Sequence, residues 1–278
     1  MHNEERTRGT ADASGRPRCA LGPPVLAPAI LRFLSSSPKI AGAYGNYTTD
    51  MCIINTMYAD RIKGLLTPPE RKVFQKLNSP QKIQDYLDSL PINFEISRET
   101  YMSPRRLLRE KTAHCFEGAL FAAAVLAYHG QKPFLLDLRT EPEDEDHVVA
   151  LFRQNGHWGA ISKTNHTILR YRDPVYRDVR ELAVSFFHEY LMWNTGKKIL
   201  REYSAPFDLS KFSPESWVTA EKELFSLVEV LDNSRHFPIV PKKNVKHLRK
   251  SSRVELEVLD IEEWSKSGKR NKHQINQR

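Results

Sequence analysis

The sequence has only three cysteines in 278 residues: Cys19, Cys52 and Cys115. No CxxC pair occurs, and no cysteine falls at ligand spacing with histidine. A disulfide framework and a zinc site are therefore both excluded, and a reducing, cytoplasmic setting is expected. Long apolar runs are also lacking, since no stretch approaches the ~18 to 20 residues that a membrane span needs. The apolar stretch from Ala20 to Leu34 is broken by Pro23, Pro24, Pro28 and Arg32, with Glu4 and Glu5 upstream. It therefore lacks the uninterrupted core of a secretory signal. Most of the chain also lacks an excess of either charge. The net +8 is concentrated in residues 233–278, where twelve Lys/Arg face five Asp/Glu, and the remainder is close to neutral. The basic tail lacks interleaved aromatics, so neither nucleic acid nor a membrane is expected as a partner.

What is present divides along the chain. Residues 1–60 carry no sustained period. They are expected to be disordered, or to precede a true start at Met51 or Met57. Order is expected from about residue 66. Thr67-Pro68-Pro69-Glu70 supplies a cap, a proline in the first turn and a glutamate at N3. Ser79-Pro80 and Ser103-Pro104 repeat that start, with Ile83, Leu87 and Leu90 on one helical face. Strands are expected over 133–139, 147–153 and 158–162, with Asn155-Gly156 turning the second into the third. A fourth strand over 167–171 and helices over 179–193 and 214–231 are also predicted. Residues 206–239 read as a helical extension and 240–278 as a basic, disordered tail. A fragment of residues 60–235 is expected to fold alone.

Cys115 stands where a polar, basic stretch turns into the apolar run from Cys115 to His129, which Gly130 ends. A thiol in the first turn of a helix faces unpaired N–H groups and the positive end of the dipole, which favour the nucleophilic thiolate. Thirty-two residues on, His147 opens the apolar run Val148–Phe152. This is the order of parts in a Cys–His nucleophilic site. Alone, Cys115 would read as a buried thiol and His147 as a strand-edge histidine; together they read as nucleophile and base. His114 and His129 read as structural, beside the helix cap and at the helix end. Glu117 suits the first-turn dipole. Arg105, Arg106, Arg109 and Lys111 read as a solvated face, with raising the potential near the thiol as the alternative.

Three segments carry a family resemblance: His114-Cys115-Phe116-Glu117-Gly118-Ala119, Asp146-His147-Val148-Val149 and Trp158-Gly159-Ala160-Ile161. Helices first, a cysteine opening the central helix, then antiparallel strands carrying the histidine: this resembles the transglutaminase-like superfamily of papain-like cysteine enzymes. The segment Ser79 to Leu87 is also similar to the helix that leads many bacterial transglutaminase-like domains. The resemblance covers about residues 66–200, within a domain expected over 66–205. It implies an α+β fold with the cysteine at the start of a buried central helix packed on an antiparallel sheet. It also implies acyl transfer or amide hydrolysis on a peptide or protein substrate, through a Cys115 thioester with His147 as base and with no cofactor or metal. In the family an Asp or Asn orients the histidine. Here Trp158 is followed by Ser162, Asn165 and, further on, Asp173 in Asp173-Pro174. Asn165 is preferred for that role and Asp173 is the alternative. Some relatives have lost catalysis, so a silent domain that binds a peptide or protein is the second reading.

Overall fold

In the computed structural model of the chain, the described residues are 56–142 and 144–266. The expectations for residues 1–55 and 267–278 lie outside them. The fold class is α+β, mixing helices with an antiparallel sheet.

The proline-led start signals each open a helix: α2 (Pro68–Lys76), α3 (Pro80–Ser89) and α4 (Pro104–Glu110). Glu70 accepts from the Thr67 N–H at 2.7 Å, and the Ser79 and Ser103 hydroxyls accept from Lys82 and Arg106 N–H groups. Each bond satisfies a donor that the first turn leaves orphaned. Order begins earlier than the sequence suggests, in a helix over residues 56–65, α1. Tyr58 is the reason. Its hydroxyl donates to the Leu209 and Phe212 carbonyls and accepts from the Trp217 indole, tying this helix to a segment 150 residues away.

Helix α5 (Cys115–Tyr128) is apolar all round, and every residue from Phe116 onward is buried. It lies at the centre of a core that includes Phe74, Ile83, Leu87, Leu107, Leu135, Ala150 and Trp217. Gly130, at φ +84°, stops it in a conformation that suits glycine, and the Gln131 N–H closes back on the Leu126 carbonyl.

The sheet is seven-stranded and antiparallel, ordered β4-β3-β2-β1-β5-β7, with β6 also pairing β1. Its strands are β1 (Phe134–Arg139), β2 (His147–Gln154), β3 (His157–Ile161), β4 (Arg172–Tyr176), β5 (Glu202–Ser204), β6 (Phe207–Asp208) and β7 (His236–Pro238). Both faces of β2 are buried, which explains its near-continuous apolar run. Val148, Ala150 and Phe152 join the α5 core, while Val149 and Leu151 join a second core with Leu182, Phe186 and Tyr190.

Several expected boundaries move. The strand placed at 167–171 is instead β4, which is an edge strand and so tolerates Pro174; residues 163–171 form a loop. The helix expected over 179–193 is α6 (Val179–Ser185), after which the chain tightens into i→i−3 turns. That departure frees Glu189 to accept from the Leu169 N–H and to pair with Arg172 at 2.6 Å. The helix expected over 214–231 is interrupted, giving α7 (Glu215–Val218) and α8 (Phe225–Asp232). Residues 206–239 are not a separate helical extension, because they supply β6 and β7 to the same sheet. Residues 240–266 are not a disordered tail. They include α9 (Arg253–Leu256) and a stretch that runs along the 165–170 loop. There the Glu263 N–H donates to the Asn165 carbonyl, Thr167 Oγ1 donates to the Val258 carbonyl, and Trp264 is buried. Among the described residues no helix is long and apolar enough to cross a membrane.

Candidate active site

The site forms where the start of α5 meets the start of β2. Three local features bring them together. Gly118, one turn into α5, lets the Lys163 stem approach closely: a Cβ on residue 118 would stand 2.4 Å from Lys163 Cβ. Lys163 itself is buried and donates to the Leu87 and Leu90 carbonyls at 2.8 and 2.6 Å, satisfying the C-terminus of α3. Gln84 of α3 then grips the Ser162 backbone from both sides, accepting from its N–H at 3.0 Å and donating to its carbonyl at 2.8 Å. Residues 162 and 163 are thus clamped between α3 and α5.

Cys115 is partly buried and is the first residue of α5, so its N–H has no intrahelical acceptor. Two imidazoles act on its sulfur. His114 Nδ1 lies 4.0 Å from Sγ, and His147, buried at the start of β2, lines the same cleft and also favours the thiolate. Burial alone would push the thiol pKa up. The two histidines reverse this and hold it well below the ordinary thiol value.

His147 Nε2 is 2.8 Å from Ser162 Oγ. The Ser162 hydroxyl donates its hydrogen to the Leu169 carbonyl, so toward His147 it can only accept. His147 must therefore carry its proton on Nε2, which leaves Nδ1 as the nitrogen available to the thiol. Leu169 is held in the left-handed region at φ +58°, rare for a bulky side chain, with its N–H on Glu189. A chain of contacts thus runs Glu189, Leu169, Ser162, His147, Cys115.

The residues predicted to orient His147 lie elsewhere. Asn165 is buried on the wall of the same cleft, but its carbonyl takes the Glu263 N–H and it makes no hydrogen bond to His147. Asp173 is exposed on edge strand β4 and does not line the cleft. Ser162 holds the position instead. The signal that finds it is the Asn155-Gly156 turn. With Asn155 at φ +50° and Gly156 at φ +84° the turn has two residues, and Gln154 pairs His157. Counting back along the ladder sets Ser162 across from Val149, a same-face diagonal neighbour of His147, and puts Asn165 on the alternate side.

His114 is not merely a neighbour of the cap. Its Nε2 lies 2.8 Å from the Thr100 carbonyl, 3.5 Å from Glu117 Oε1 and 3.8 Å from Glu95 Oε1. Glu117 is fully buried and closed to any substrate. It accepts from the His114 and Met102 N–H groups and the Thr100 hydroxyl, each at 3.0 Å, and from the Asn93 amide. The three arginines before the cysteine are paired with carboxylates: Arg105 with Glu70, Arg106 with Glu223 and Arg109 with Glu221. His129 caps away from the site, bonded to the Phe74 carbonyl.

The cleft above Cys115 measures about 660 Å³. Its walls carry seven carboxylate residues, among them Glu95, Asp144, Glu145, Asp260 and Glu262; Lys163 is the one Lys or Arg among the described lining residues, and it points at α3 carbonyls. No three of the described His, Cys, Asp and Glu residues are grouped to hold a metal ion. A scan of the chain against protein-family models and a search of curated proteins both return no match.

Proposed function

We propose that the protein is a cysteine-dependent acyl-transfer or amide-hydrolysing enzyme of transglutaminase-like type, working through a Cys115 thioester. The observation that carries this reading is the Cys115–His147–Ser162 arrangement at a helix N-terminus, open to a cleft. In that mechanism the Cys115 proton passes to His147 Nδ1 and the thiolate attacks an amide or ester carbonyl carbon. The Cys115 N–H faces the developing oxyanion. Collapse expels the amine or alcohol, which takes the proton back from His147, and leaves the acyl group on sulfur. An amine or water then attacks the thioester, losing its proton to His147. Ser162 holds the imidazole in the required tautomer, the role that Asn165 or Asp173 was expected to fill. The acid-lined cleft suits a cationic amine as acyl acceptor or a basic peptide as donor.

The test uses full-length protein with a glutamine-rich protein donor and a fluorescent primary amine, following both amine incorporation and ammonia release. Either product, lost in Cys115→Ala, supports the reading. A wild-type thiol that alkylates no faster than a free cysteine, with neither product formed, rejects it in favour of a silent peptide-binding domain.

A further inference from the structure

We propose that His114 is a fixed imidazolium counter-ion to the Cys115 thiolate, leaving His147 to move the proton. The inference rests on Cys115 being the nucleophile and divides labour between the two histidines that touch it.

The surroundings of the two rings differ in kind. His147 Nε2 meets a neutral hydroxyl, Ser162 Oγ. His114 Nε2 meets the Thr100 carbonyl at 2.8 Å, with Glu117 and Glu95 carboxylate oxygens at 3.5 and 3.8 Å. The carbonyl can only accept, so His114 also carries hydrogen on Nε2. A second proton on Nδ1 then points at Cys115 Sγ, 4.0 Å away. An imidazolium between a thiolate on one side and two carboxylates on the other is stabilised from both, whereas Nε2 of His147 is met by a neutral hydroxyl. Burial opposes the His114 charge, but Cys115 and Glu117 outweigh it and raise its pKa above the ordinary value.

The cleft needs such a charge. The groups facing Cys115 and His114 from the surrounding elements are Glu95, Glu117, Asp144, Glu145, Tyr190 and His147, with Tyr101 edge-on to the His114 ring. Apart from the two histidines, every ionisable group in that set is an acid. A thiolate formed there works against the carboxylates, and a base that must itself become neutral in each cycle cannot be its only cation. A ring held as firmly as His114 is a poor proton shuttle, and the proton transfers fall to His147.

The experiment uses the full chain with Cys19→Ser and Cys52→Ser, so that Cys115 is the sole thiol. Its iodoacetamide rate is followed from pH 4 to 10, with folding checked by thermal melts. The parent should show a midpoint well below about 8.5. His147→Ala should keep a depressed midpoint while losing turnover. His114→Gln should raise the midpoint by about one to two pH units, and Glu117→Gln should raise it less. A midpoint restored to the free-thiol value by His147→Ala alone, with His114→Gln unchanged, overturns the proposal. A parent midpoint already at the free-thiol value rejects instead the nucleophile reading on which it rests. Should the His114 or Glu117 variants fail to fold, 15N-histidine spectra of the parent decide. His114 should give an imidazolium signature at neutral pH that weakens once Cys115 is alkylated; a neutral His114 before alkylation overturns the proposal.

Discussion

Ser162 Oγ accepts from His147 Nε2 at 2.8 Å while donating its own hydrogen to the Leu169 carbonyl. One hydroxyl therefore fixes both the tautomer and the orientation of the ring that faces Cys115. Ser162→Ala should lower turnover by roughly ten- to a hundredfold, from about 1–3 kcal/mol for a buried donor left unpaired. Asn165→Ala and Asp173→Ala should stay within about twofold of wild type in turnover, since neither side chain bonds the ring. Parallel activity and alkylation assays on the three variants check this. Equal losses from Ser162→Ala and Asn165→Ala would remove Ser162 from the orienting role.

Gly118 and Lys163 define the spacing between α5 and the strand that brings Ser162. Because an added Cβ would stand 2.4 Å from Lys163 Cβ, Gly118→Ala must push the two apart. A destabilisation of about 1–3 kcal/mol is expected, despite the higher helix propensity of alanine. Alkylation of Cys115 should slow as well, because His147 moves with Ser162. Denaturant melts read the first effect and thiol titration the second; a stabilised variant would show that the contact relaxes freely.

A second buried histidine links stability to pH. His236 Nδ1 lies 2.8 Å from the Ser234 carbonyl and Nε2 2.9 Å from Asp137 Oδ2. Both partners accept, so both nitrogens donate and the ring is cationic. Burial opposes that charge, but the Asp137 hydrogen bond outweighs it, and the His236 pKa lies above its ordinary value. The folded pKa then exceeds the unfolded value of about 6.5. The contribution is full below that pH and is lost as pH rises through the folded pKa. His236→Gln should cost about 2 kcal/mol at pH 5.5 and progressively less under alkaline conditions, read from melts across pH 5–10. A pH-independent difference would mean that the ring is neutral when folded.

The boundaries matter for stability. Cutting the chain to residues 60–235 removes Tyr58, whose hydroxyl joins α1 to Leu209 and Trp217, and all of β7. It also removes Trp264 and the stretch that borders the cleft. That fragment should melt well below the fragment 56–266, measured side by side by circular dichroism. Coincident transitions would show that these contacts contribute nothing net.

The sequence alone determined the local pieces. Start signals at Thr67, Ser79, Ser103 and Asp178 each begin a helix, because a capping side chain and its backbone partner sit within one turn of each other. The apolar runs after Cys115 and after His147 marked the buried helix and the central strand, and so the two elements whose starts meet at the site. The Asn155-Gly156 turn also carried the register that puts Ser162 on the His147 face of the sheet. Tertiary structure decided what depends on distant partners. Leu169, in a left-handed conformation, reaches Ser162 only because Glu189 leaves its helix to hold it. His114 meets Glu95 and the Thr100 carbonyl only once the 93–102 segment folds over α5. Residues 240–266 pack because the 165–170 loop and Lys198 supply acceptors and donors from far along the chain. Such contacts leave no period in the sequence, since neither partner is repeated and the spacing between them is set by the fold.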